Sequence, residues 1–340
     1  GRRSGKEHTE GGSIVKILAI GKGTQDVFLE SDEFDPKQRG KKVYTEIPLG
    51  LKMEVDDVTF STGGNATNVA VTLARQGIES AYMWGLGTDP ASEAILHDLD
   101  EEGVDTSLVV QNTTFQSGYS VIMIATNGER TILNHRGHAF GKSGRRDFDL
   151  DALEGYDWVY PTSLGDGGLK LLRDIIDAAE KHGVKVMLNP AGPELAEKEK
   201  LITLLESVDV LITNREEMQQ LVSGETCEEL ALHALHYVPV AIVSDGPNGV
   251  VATDGKTMVR AGMYEDVPVI DRTGAGDAFA SGFLSQWSRG KSLRESIIFA
   301  SANSTSVVTK IGAKAGILRR GVKLHEMPIS EKTVNVREAN

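Results

Sequence analysis

The segment Asp271-Arg272-Thr273-Gly274-Ala275-Gly276-Asp277-Ala278-Phe279 runs through three small residues straight into a helix-forming sequence. Small residues let the chain turn tightly and bring consecutive backbone N–H groups onto one point. A helix starting there aims its unpaired N–H groups and the positive end of its dipole at the same point. Such a place binds an anion without a basic side chain. It suits chemistry in which negative charge builds on a transferring phosphoryl group. Asp277, in the first turn, is placed to take a proton from an attacking hydroxyl. On local physics alone, the same residues read equally as an ordinary glycine-rich helix start capped by aspartate.

Upstream of this segment, short β-branched runs alternate with helical patterns, which predicts a mostly parallel sheet with helices on both faces. The strands expected are 14–20, 80–85, 157–160, 184–188, 208–212 and 240–243, followed by a hairpin over 249–260. Helices are expected over 65–76, 89–102, 167–182, 194–206 and 214–222, with two more, 275–289 and 292–309, closing the chain. Two stretches break the rhythm. Residues 26–60 alternate polar and apolar residues with no helix signal. Residues 117–134 read as a hairpin around Asn127-Gly128, a pair that favours a type I′ turn. Together they predict a small β-sheet lid over the carboxyl ends of the main strands.

The chain has 340 residues with 36 Lys and Arg against 49 Asp and Glu, a net charge of −13. That balance argues against nucleic acid or an anionic membrane surface as a partner, since both reward clustered basic residues. Cys227 is the only cysteine, which excludes a disulfide framework and points to a reducing, cytoplasmic setting. No apolar run reaches the roughly 18 residues of a membrane span. Residues 1–13 lack the apolar core of a signal peptide and read as a disordered leader or tag. Residues 317–340 read as a loosely packed tail.

Further motifs stand in order along the chain. Gly63-Gly64-Asn65-Ala66-Thr67-Asn68 opens the helix at 65, Asn189-Pro190-Ala191 follows a strand, and Asn214-Arg215-Glu216-Glu217 begins another helix. Val243-Ser244-Asp245-Gly246-Pro247-Asn248-Gly249 ends a strand in a turn. Asn214 and Glu217, one helical turn apart, also read as a capping pair. Gly63-Gly64 reads as a plain loop, and Asn65 or Asn68 as a cap. Gly21-Lys22-Gly23 is not a dinucleotide fingerprint, because Asp26 stands where the third glycine belongs.

Taken together, these segments resemble the PfkB (ribokinase-like) carbohydrate kinases. Asp271–Asp277 is similar to the family's DTxGAGD signature, Gly63–Asn68 to its sugar-binding signature, Asn214–Glu217 to its Asn-x-x-Glu motif, and 243–249 to its nucleotide loop. The likeness runs from about residue 14 to 316. It implies a three-layer ribokinase-like α/β fold and ATP-dependent phosphorylation of a primary hydroxyl of a small sugar. Asp277 would be the general base, with Gly274, Ala275 and Gly276 forming the anion hole. Asp26, Gly64, Asn65 and Asn68 would bind the sugar. Asn214 and Glu217 would orient Mg²⁺ through water. Ser244, Gly246 and Gly249 would shape the nucleotide loop, and Asn303 would approach the adenine; by spacing alone Asn303 is an ordinary polar helix residue. Asp271 and the Thr273 carbonyl would contribute to a monovalent-cation (K⁺) site, and lid strands would pair into a homodimer.

Two departures weaken ribose as the specific substrate. Asn65 stands where ribose-specific members tend to carry Lys, and no acid occurs over 161–164. The alternative on the same fold is a nucleoside kinase. A third reading is a non-catalytic sugar- or nucleotide-binding regulator, against which the intact Asp277 and Gly274–Gly276 argue. Arg130 and Arg136, on or after the lid hairpin, either face an anionic or polyhydroxylated substrate or are solvated charges. Arg272 falls close to the phosphates.

Overall fold

The computed structural model describes residues 14–139, 148–262 and 267–335; the leader over 1–13 lies outside the described residues. Its main sheet begins with strand β1 (Lys16–Ile20), where Ile17, Leu18, Ala19 and Ile20 are all fully buried. A strand apolar at consecutive positions is one covered on both faces, as in a parallel sheet between helix layers. β1 pairs in parallel with β6 (Glu79–Met83) on one side and β11 (Trp158–Pro161) on the other. Beyond β11 the parallel order continues through β12 (Lys185–Leu188), β13 (Val210–Asn214) and β14 (Val240–Ser244). β15 (Val250–Thr253), β16 (Thr257–Ala261) and β17 (Ile329–Thr333) then add an antiparallel edge. The chain leaves β1 in one direction and returns on its other side, so strand order reverses between β1 and β11. In open α/β sheets the crevice beyond the strand carboxyl ends at such a reversal is where ligands bind.

Around the sheet are α1 (Asn65–Arg75), α2 (Pro90–Glu101), α3 (Gly168–His182), α4 (Gly192–Leu195), α5 (Lys198–Leu205), α6 (Arg215–Leu221), α7 (Cys227–Ala234), α8 (Ala275–Trp287) and α9 (Leu293–Val307). Their starts follow local chemistry. Asp89 caps α2, its Oδ1 accepting from Ser92 N at 3.0 Å, with Pro90 in the first turn. Reciprocal capping boxes start α6, α7 and α9. The helix expected over 194–206 is instead the two helices α4 and α5, because Glu197 leaves helical dihedrals (φ −110°, ψ 51°). α8 packs along α9 and against α1, which brings the 271–279 segment beside the Gly63-Gly64 turn.

The lid is a separate four-stranded sheet in the order β10-β9-β2-β5, where β2 is Thr24–Glu30, β5 Asp57–Gly63, β9 Gly118–Ile124 and β10 Arg130–His135. Short pairs β3 (Lys37–Arg39) with β4 (Lys42–Tyr44), and β7 (Gly85–Leu86) with β8 (Val110–Gln111), lie outside both sheets. The hairpin between β9 and β10 differs from expectation. Asn127 keeps a negative φ and only Gly128 crosses (φ +83°). Gly128 N donates to Ala125 O and Ala125 N to Glu129 O. This is a three-residue loop ending on a left-handed glycine, where a type I′ turn would need two positive φ values.

The carboxyl-terminal segment is also better ordered than its composition suggested. β17 forms a full antiparallel ladder on β16, Ile329 to Ala261 through Thr333 to Thr257, and Ile317 is buried in the core. A sheet edge offers unpaired backbone groups, and the returning chain covers them although its side chains are polar. Truncation after Pro328 should therefore lower the melting temperature by a few degrees, about 2–4 °C for each kcal/mol lost, in scanning calorimetry. An unchanged melting temperature would show that the ladder contributes nothing.

Candidate active site

Asp277 lies in the first turn of α8, partly buried, and its environment is asymmetric. Burial raises its carboxyl to about 6, opposed by the Asn68 hydrogen bond, the Lys314 charge and the Asn65 side chain. Asn68 Nδ2 donates to Asp277 Oδ2 at 2.9 Å. The other end of that amide, Oδ1, accepts from Lys314 Nζ at 2.9 Å. Lys314 Nζ also donates to Thr62 O and to Thr67 Oγ1, both at 2.9 Å, so its three protons are all placed. An ammonium has no acceptor, so this contact fixes which way the Asn68 amide points: oxygen to Lys314, NH₂ to Asp277. Desolvation lowers the Lys314 pKa to about 8, against the raising influence of Asp98, Asp26, Asp277 and Glu102. Asn68, which the resemblance assigns to the sugar, thus also holds the carboxylate that was expected to act as base. Sequence reasoning missed Lys314 altogether. It sits after α9 in Gly312-Ala313-Lys314-Ala315-Gly316, and a lone lysine among small residues is the only local signal.

Gly274 precedes α8 in the left-handed region (φ +79°), and a Cβ there would lie 2.6 Å from the Ala313 Cβ. Both the torsion and the contact call for glycine. No side chain caps the helix. The Gly276 and Asp277 amides donate to no described residue, while Ala275 N is spent on Arg272 O at 3.3 Å. A Cβ at Gly276 would meet nothing within 4 Å. The helix start therefore offers free N–H groups facing open space, drawn from Gly276 and Asp277 and not from Ala275. Gly64 performs a related service at the start of α1. Its φ of +90° and a hypothetical Cβ only 2.3 Å from Lys22 O let the two turns touch.

Asp271 is fully buried and fully engaged. Oδ1 accepts from Arg130 Nη1 at 2.7 Å and from Thr273 N at 2.8 Å; Oδ2 accepts from Gly312 N at 2.8 Å. Arg130, on lid strand β10, also reaches Ile270 O at 3.0 Å. Neither expectation for Arg130 holds. It is an internal ion pair joining the lid to the loop that leads into α8. Both carboxylate oxygens carry N–H donors and a guanidinium already balances the charge, so a monovalent cation at Asp271 would share the carboxylate with these partners.

Asp26, on β2, is buried with Oδ1 accepting from Thr24 Oγ1 at 2.8 Å. Burial raises its pKa, opposed by that hydrogen bond and by the Lys314 and Lys22 charges. On the nucleotide side, Asn214 and Ser244 are register partners at the carboxyl ends of β13 and β14. Asn214 Oδ1 accepts from Glu217 N at 2.8 Å while Glu217 Oε1 accepts from Asn214 N at 2.9 Å. The pair is a capping box that leaves Glu217 Oε2 and the Asn214 NH₂ outward. Among the described residues no three His, Cys, Asp or Glu side chains cluster to hold a metal, so Mg²⁺ here would rely on phosphate and water oxygens as much as on protein. Gly246 begins a short 3₁₀ turn that Gly249 closes, its N donating to Gly246 O.

Asn303 corrects an expectation. It is fully buried, Nδ2 donating to Ala278 O at 2.9 Å and Thr72 Oγ1 at 3.3 Å, Oδ1 accepting from Leu318 N at 2.9 Å. It joins α1, α8 and the tail, and cannot face a nucleotide. A cleft of about 520 Å³ opens over the carboxyl ends of β1, β11 and β12, with Lys22, Gly118, Asn134, Arg136, Ser163 and Gly192 among its walls. Ser163 is the one non-glycine residue with positive φ (+54°) among those described.

Comparison with known proteins identifies the family. A family model described as pfkB family carbohydrate kinase matches residues 37–319. The chain belongs to the pfkB carbohydrate kinases. Among curated relatives of this pfkB kinase, Haemophilus influenzae ribokinase is 29 % identical over 267 residues, 76 % of this chain and 84 % of that protein. Arabidopsis thaliana ribokinase, solved with ribose and ATP, superposes with a TM-score of 0.72 at 23 % identity over 90 % of this chain and 96 % of that one. Sinorhizobium meliloti adenosine kinase gives 0.69 at 20 % identity, over 89 % and 96 %. No helix among the described residues is long and apolar enough to cross a membrane.

These contacts set the expected pH profile of a kinase using Asp277 as base. The carboxyl must be unprotonated, so kcat/KM should rise as pH increases through about 6 and fall again as Lys314 loses its proton near 8. Lys314→Met should lower kcat by about 10²-fold, the cost of misplacing a catalytic group by an ångström, and should abolish the alkaline limb. An alkaline limb that survives the substitution would assign that titration to another group.

Proposed function

We infer that this kinase transfers the γ-phosphoryl group of ATP to a primary hydroxyl of a small sugar, with Asp277 as general base. The observation that carries the reading is a partly buried carboxyl, held by Asn68 and tuned towards neutral pH, in the first turn of a helix whose N–H groups are uncapped and open. The substrate hydroxyl approaches Asp277 in line with the terminal phosphate. As its oxygen bonds to phosphorus the proton passes to the carboxylate, and the bond to the ADP oxygen breaks. The Gly276 and Asp277 amides receive the equatorial oxygens, where charge is spread in the transition state. Mg²⁺ bound with the nucleotide would neutralise phosphate charge, and Glu217 and Asn214 are the side chains that would hold it, through water.

The lid strands present two unlike faces. Asp26, Ser120, Arg130 and Asn134 lie on the face towards the body, by their cross-strand registers. The other face carries Val58, Phe60, Tyr119 and Leu133, with Phe60 68 % and Leu133 56 % exposed. An apolar sheet face of this kind favours a partner, and a second copy of the chain presenting the same face is the partner this reading adopts.

Asp277→Asn keeps the hydrogen-bonding shape but cannot take the proton. It should lose roughly 10²–10⁴-fold in ADP release with little change in sugar KM. A panel of sugars and nucleosides decides the acceptor. Turnover of nucleosides alone would replace the sugar by a nucleoside, and binding without ADP formation would remove catalysis from the reading. Sedimentation should give a dimer that Phe60→Asp converts to monomer; a monomeric wild type would refute the lid interface.

A further inference from the structure

We propose that the sugar accepted by this kinase carries an oxyanion, a carboxylate or a phosphate, at the end opposite the reacting hydroxyl, bound by Lys22 and Arg136. The inference rests on the reading of the cleft as a sugar site and adds the chemical class of the sugar. Lys22 comes from the turn after β1, and Arg136 from the segment that follows lid strand β10; both line the same cleft of about 520 Å³. Neither forms a hydrogen bond or ion pair with any described residue. They are close enough to interact, for burial and the Arg136 charge together depress the Lys22 pKa.

Arg136 is exposed and Lys22 half-buried; the two like charges on one cleft repel each other, and burial costs Lys22 hydration, a strain that an anion between them relieves. The neighbouring acids do not fill that role. Asp26 acts on Lys22 at longer range, but it is buried with Oδ1 bonded to Thr24. Asp166 also lines the cleft and makes no ion pair with either cation among the described contacts. A carboxylate or phosphate between the two cations would accept charge-assisted hydrogen bonds from both. A neutral polyol needs hydroxyl partners such as Asn134 and Gln116, which share the same walls, and has no use for paired cations. Arg136 follows directly on the strand that carries Arg130. Anchoring the oxyanion would therefore draw this end of the lid onto the main body while Asp277, at the start of α8, faces the hydroxyl.

Calorimetric titration without nucleotide tests this on matched pairs that keep the same primary hydroxyl: D-ribonate against D-ribitol, and D-ribose 1-phosphate against D-ribose. At least one anionic member should bind about tenfold or more tighter than its neutral twin, the range expected of charged hydrogen bonds. Which pair shows the preference identifies the anion as carboxylate or phosphate. Arg136→Gln and Lys22→Met should each lower the affinity of the anionic member about tenfold and so erase the preference. Equal affinity within each pair, no binding by either anion, or a preference that survives both substitutions would overturn the assignment. ADP release from the same four compounds separates the two readings. Anion preference without ADP upholds the cation pair and removes the sugar kinase, whereas ADP from the neutral twins alone upholds the kinase and removes the cation pair.

Discussion

One buried ammonium holds the reactive part of this molecule together. Moving a lysine charge out of water costs several kcal/mol even after relaxation, and Lys314 is tolerated only because its three protons each find an oxygen and carboxylates surround it. Those three oxygens belong to β5 and α1, while Lys314 itself arrives from the loop after α9. The contact therefore joins a lid strand, the helix behind the sugar turn and the end of the chain. Its direct product is the orientation of one amide, and the amide in turn presents an N–H to the carboxylate of Asp277. A carboxyl lifted by burial yet steadied by one hydrogen bond and one nearby charge is poised close to physiological pH, where a general base is most effective.

A second tie, Arg130 to Asp271, acts on the opposite side of the same helix start. The loop leading into α8 is pinned to α9 by its backbone, through Ile270 and Asp271 N–H groups on Val308 O, and to the lid by the guanidinium. The start of α8 is thereby tied to both body and lid. A lid displaced from the body would leave the Asp271 carboxylate buried without its guanidinium. Lid position and the geometry around residues 274–276 are thus coupled by electrostatics. The strands that carry this tie expose an apolar outer face, so the same small sheet has one surface suited to the site and one suited to a partner.

Much of the architecture was legible along the chain. The unbroken apolar run at 17–20, the Asp89-Pro90 helix start and the Asn214–Glu217 pair each declare their local structure, because capping and strand burial depend on neighbours within a few residues. Local chemistry failed where a partner came from far away. Nothing near Asn68 revealed its contact with Lys314, 246 residues distant. Asn303 looked available because the sequence does not show that α1 and α8 close over it. Nothing near Arg130 decided between a substrate contact and a solvated charge, because its acceptor lies 141 residues on.

By itself, then, the order of residues determined the alternating strands and helices, the glycine-dependent start of α8 and the kind of chemistry that start can serve, since these follow from torsions, periodicity and spacing within single segments. Only the folded chain decided which side chains serve the reaction and which serve the frame. A hydrogen bond or ion pair is made by distance in space, and packing α1, α8, the lid and the tail around one point gave Asn68, Asn303 and Arg130 their partners.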